Sequence, residues 1–150
     1  MTAEIRTSID GVRLALALAV ITCAVATSTA AAALSPHIIR EPWTPLPCPA
    51  HAVSTVDLEG CLEKGIRRTD RQIDARVAKI FYRLRSSSDR RAFVRGERSW
   101  LQYRRSSCSA EASVYHGGSA EPVAFLTCEK RRNARHIADL QDMERILRRG

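Results

Sequence analysis

Apolar residues in this chain recur at steps of three, four and seven, and no stretch shows sustained strand-like alternation. Ile66, Ile73, Val77, Ile80 and Leu84 share one helical face. Ser54 and Asp57 have the spacing of a capping box, so the first helix is predicted to begin there. Asp70 stands on the same stripe, where a carboxylate is costly unless paired. Ser86 to Asp89 breaks the pattern and offers a cap for a second helix, predicted from about Arg90 to Tyr115. Its seam runs Phe93, Glu97, Trp100, Arg104, then Ser107 or Cys108. Arginine suits buried carboxylates because it donates two parallel bonds. Asp70, Glu97 and Arg104 are therefore expected to meet between the first two helices; the alternative is that they snorkel to the rim.

The segment His116-Gly117-Gly118-Ser119 reads as a turn in which Gly117 or Gly118 takes a positive φ. Ser119 offers a cap for a third helix, from about Glu121 to Leu147, with Pro122 in its first turn. Leu126, Ile137, Leu140, Met143 and Leu147 supply its apolar face. The fold class that follows is all-α: a small three-helix domain over residues 48–147.

The N-terminal third changes the picture. Polar residues with Arg6 and Arg13 precede an apolar run from Leu14, and Ser, Thr and Ala follow to Ala33. That order predicts a secretory signal peptide over residues 1–33, with Ala31-Ala32-Ala33 as its cleavage motif. The apolar run is short and Ala-rich for a membrane span, the reading it competes with. Cys23 is either part of the discarded signal or a lipid-attachment cysteine, and Thr22 fits a lipoprotein box weakly. Membrane association is expected only with lipidation there. Residues 34–47 form a Pro-rich extended leader around Trp43, which either lies along the domain or hangs free.

Four cysteines remain beyond the signal: Cys48, Cys61, Cys108 and Cys128. An even count in a small exported chain argues for two disulfides. Of the three possible connectivities, locality favours Cys48–Cys61 and Cys108–Cys128. No C-x-x-C pair occurs and His37, His51, His116 and His136 are scattered, so no metal site and no cofactor is expected.

The net charge of +8, carried mostly by Arg, suits anionic polymers, phospholipid headgroups or acidic proteins; solvated helix faces explain it equally well. Nucleic acid fits the charge but not export. No Ser-His-Asp arrangement, phosphate-cradling loop or metal spacing supports an enzyme. Asp70 and Glu97 as paired glycosidase carboxylates are disfavoured by the Arg104 expected between them.

The chain resembles the lysozyme inhibitor LprI-like N-terminal domain family. The resemblance rests on Cys48, Thr55, Cys61, Asp70, Ile73, Asp74, Glu97, Trp100, Arg104 and Cys108. It continues through Glu111, Tyr115, Gly117, Gly118, Ser119, Pro122, Cys128 and Leu140. The chain departs from the family pattern at polar positions: Glu97 for Gln, Arg105 for Asp, Asn133 for Thr and His136 for Arg. The resemblance implies an exported protein that binds and inhibits lysozyme by occluding its cleft. The turn Tyr115, His116, Gly117, Gly118, Ser119 is the candidate contact. Many lysozymes are basic, as is this chain, and like charges slow encounter. Local acidic patches offset that: Asp57, Glu59 and Glu63, or Asp139, Asp142 and Glu144. The alternative is a cationic cell-envelope module that binds anionic wall polymer, lipid or an acidic partner.

Overall fold

The computed structural model describes residues 34–43 and 45–149. The predicted signal peptide, its cleavage motif and Cys23 lie outside the described residues. Helix α1 spans Thr55–Arg83, α2 spans Ser87–Ala112, and α3 spans Ala120–Arg149. A 3-10 turn, Ser113–Tyr115, follows α2. No strand occurs among the described residues.

Local chemistry sets the helix ends. The Ser54 hydroxyl accepts from the Asp57 N–H at 3.1 Å, and the Asp57 carboxylate accepts from the Ser54 N–H at 3.1 Å. These bonds to Ser54 hold the Asp57 carboxyl below its ordinary range. Ser86 caps α2 by accepting from the Asp89 N–H at 3.0 Å. Arg90 closes the short link between α1 and α2, donating from Nε to the Leu84 carbonyl at 2.9 Å.

The core is narrow. Ile73, Val77, Ile80 and Leu140 form its buried centre, with Phe93, Trp100, Ile137, Met143 and Leu147 packed against it. Each such side chain contributes about 1.5–3 kcal/mol on burial, so a centre of four residues leaves much to crosslinks and polar locks. Helix α3 packs along both α1 and α2, which meet each other at few positions. The first two helices meet directly at the ion pair of Asp70 with Arg104, and the third packs along both.

Both disulfides have the local pairing. Cys48–Cys61 ties the leader to α1, with Cα atoms 4.6 Å apart. Cys108–Cys128 ties α2 to α3, with Cα atoms 5.4 Å apart and both residues buried. The leader lies along the domain rather than hanging free. The Ile39 N–H donates to Asp74 at 2.9 Å, and Ile39 packs on the core. At Gly60 the leader passes so close that an added Cβ would lie 2.1 Å from the Pro47 carbonyl oxygen. Glycine is the residue that permits this approach.

Candidate functional site

The turn between α2 and α3 is short, exposed and braced. His116 adopts the left-handed conformation at φ 49°, and Gly117 follows at φ 79°. The His116 N–H donates to the Ser113 carbonyl at 3.1 Å, and the Gly118 N–H to the Tyr115 carbonyl at 3.0 Å. The Glu121 N–H donates back to the Gly118 carbonyl at 2.9 Å, while the Glu121 carboxylate accepts from the Gly117 N–H. Gly117, one of the two candidates for positive φ, therefore takes it. Val114, Tyr115, His116, Gly117, Gly118 and Ser119 are all exposed. Beneath the turn, Cys108–Cys128 and the exposed ion pair of Arg131 with Glu111 (2.6 Å) join the flanking helices.

Below that clamp lies a buried polar cluster centred on Arg104, which is fully buried. Its Nη1 donates to Asp70 at 2.7 Å and to Asn133 at 2.6 Å, and its Nη2 donates to Glu41 at 2.6 Å. Asn133 in turn donates to Asp70 at 2.8 Å and to the Thr69 hydroxyl at 2.8 Å. Glu129 stands 3.5 Å from Arg104 Nε, beyond good hydrogen-bond range, and both its carboxylate oxygens lack hydrogen-bond partners among the described residues. Burial pushes the Glu129 carboxyl up to about 7 against the pull of Arg104; Glu41 and Asp70 add to the rise. Burial would lower the Arg104 pKa, but Glu129, Asp70 and Glu41 outweigh it and raise it instead. Three carboxylates thus surround one guanidinium.

Glu97 is not a member of that cluster, contrary to the expected trio with Asp70 and Arg104. It turns instead to His136 on α3, at 2.8 Å from Nε2. His136 stacks on Trp100 with ring centroids 3.7 Å apart. The physical reason is the placement of α3: it interposes its own polar residues where α1 and α2 would otherwise face each other.

Sequence reasoning missed Glu41, Glu129 and Asn133 as partners of Arg104. The signal was present in α3. Leu126, Glu129, Asn133, His136 and Leu140 follow steps of three and four, and all are buried. Reading only apolar letters hid that seam.

A separate cationic groove of about 520 Å³ lies between the leader and α2, with His37, Arg40, Arg98 and Arg105 in its walls. No group of three or more potential metal ligands occurs among the described residues.

The family model described as lysozyme inhibitor LprI matches residues 48–140, from the first cysteine of the helical domain to the last buried leucine. The chain belongs to that family. No curated protein and no solved structure matches it. In this LprI-family chain the match includes both disulfides, the Arg104 cluster other than Glu41, and the whole glycine turn. The leader with Glu41 and Trp43 precedes it. Two disulfides and an inhibitor family are features of an extracellular or envelope protein. Among the described residues, no helix is long and apolar enough to cross a membrane.

Proposed function

We propose that this protein binds lysozyme and inhibits it by laying the turn Tyr115–Ser119 across the catalytic cleft. The observation that carries this reading is the combination, in a lysozyme-inhibitor family member, of an exposed tip with a fixed backbone. A segment that is already ordered loses little conformational entropy on docking. Tyr115 supplies contact area at low entropic cost, and His116 supplies ring nitrogens for the carboxylates on which glycosidase chemistry depends. The buried Arg104 cluster and the disulfide act indirectly, by keeping α2 and α3 in register beneath the tip.

A turbidity assay of cell-wall lysis tests this. Purified disulfide-bonded protein is expected to slow lysozyme in a dose-dependent way. The Tyr115→Ala and His116→Ala variants are expected to lose most of that effect while keeping their melting temperature. Full lysozyme activity in a large excess of the wild-type protein would discard the reading.

The cationic groove favours a second reading, binding of an anionic wall polymer or lipid headgroup through Arg40, Arg98 and Arg105. Such binding is expected to collapse between low and moderate salt. Binding to wall fragments that persists in high salt would count against it.

A further inference from the structure

A cavity of about 570 Å³ opens beside the glycine turn, between the leader, α1 and the start of α3. Its walls include Trp43, Pro122 and Phe125, together with Glu59, Glu63 and Glu121. Among the described residues no Lys, Arg or His lines it, although the protein carries a net charge of +8. Glu59 and Glu63 stand four residues apart on α1 and so share a face. Glu63 is only 8% exposed, and its Oε2 is fully covered with no hydrogen-bond partner among the described residues. A buried carboxylate oxygen without a donor is costly unless something supplies one.

Several other acidic residues are paired with cations. Glu144 is spoken for by Arg76 at 3.0 Å and Lys79 at 2.7 Å. Asp142 pairs with Arg145, and Glu111 with Arg131. Neither Glu59 nor Glu63 makes an ion pair among the described residues. Glu121 is held by the Gly117 N–H, which fixes one wall of the cavity to the turn itself.

The geometry points to this cavity as a receptor for a cationic side chain, an arginine or lysine, projecting from the partner that the turn engages. The aromatic walls suit its methylene stem and offer cation–π contact, and Glu63 with Glu59 supplies the counter-charge. The inference rests on the lysozyme reading for the identity of the partner. It also resolves a difficulty in that reading: a basic inhibitor meets a basic enzyme through an acidic site placed against its contact loop.

The test is an NMR titration of the disulfide-bonded protein with n-butylguanidinium, n-butylammonium and the neutral n-butylurea. The indole N–H signals of Trp43 and Trp100 are followed separately. At least one of the two cations is expected to shift the Trp43 signal saturably, leave Trp100 unmoved, and bind about tenfold or more tightly than the urea. Glu63→Gln and Glu59→Gln are each expected to weaken the cation, with the exposed Arg91→Gln unchanged, and to weaken lysozyme binding in parallel. Equal binding of the neutral probe, or unaltered cation binding in the folded Glu59→Gln and Glu63→Gln proteins, would overturn the assignment. Cation binding without any lysozyme binding would uphold the cavity and discard lysozyme as its partner. Lysozyme inhibition that is untouched by both substitutions would overturn the cavity's role and leave occlusion by the turn standing.

Discussion

Arg104 on α2 donates to Asp70 on α1 at 2.7 Å, and Asn133 of α3 bonds to both of them. One guanidinium thereby joins three helices and, through Glu41, the leader. Removing it leaves Glu41, Asp70 and Glu129 facing one another without a cation. Arg104→Met is expected to cost about 3–5 kcal/mol in urea denaturation. Arg104→Lys is expected to recover little of this, because a single ammonium cannot reach three separate acceptors. A loss below about 1 kcal/mol would show the cluster to be peripheral to stability.

Glu129 gives the fold a pH dependence of definite sign. Its carboxyl is raised from 4.5 to about 7, so between those values the folded state holds a proton that the unfolded chain has released. Stability from this group is complete below pH 4.5, declines as pH rises through about 7, and is flat above. The decline is expected to be of order 3 kcal/mol. Burial also raises Asp74, whose contribution falls in the same direction from a lower starting pH. Glu144, lowered by its bond to Lys79, acts oppositely and loses its contribution in acid. Melting temperatures across pH 4 to 8 are expected to fall toward the alkaline end, and Glu129→Gln is expected to flatten that fall.

The helices were legible in the sequence because their signals are local. The Ser54–Asp57 box and the Ser86 cap need only four residues each, and the stripe from Ile66 to Ile80 needs only its own period. The partner of Arg104 was half legible: Asp70 is a lone acid on an apolar stripe. Glu41 was not, because an aperiodic leader gives no hint of which face it crosses. Glu97 was assigned to the wrong partner because helix order along the chain does not say which helix lies between the others. His136 and Asn133 sit on a polar seam that hydrophobicity alone does not reveal.

Gly60 is the point at which the leader is held closest. Gly60→Ala places a methyl group against the Pro47 backbone, and backbone does not yield as a flexible side chain does. A loss of about 1–3 kcal/mol is expected, with slower formation of Cys48–Cys61 during oxidative refolding. Gly96→Ala is the control, since nothing lies within 4 Å of its added Cβ. Equal stability of the two variants would show that the leader does not need its contact at Gly60.

The Cys108–Cys128 bridge closes a segment of 20 residues that contains the turn. Replacing both cysteines with Ser is expected to cost about 3 kcal/mol. It is also expected to weaken lysozyme inhibition more than loss of Cys48–Cys61, because only the former bridge stands under the tip. Equal effects of the two losses on inhibition would show that the bridge stabilises the domain without shaping the turn.

Competition for the lysozyme cleft tests occlusion most directly. A short chitin oligosaccharide that fills the cleft is titrated against the preformed complex of lysozyme with this protein, and bound protein is measured at each step. Displacement in proportion to cleft occupancy is the result expected of Tyr115–Ser119 lying in the cleft. A ternary complex, with sugar and protein bound together at undiminished affinity, would contradict it.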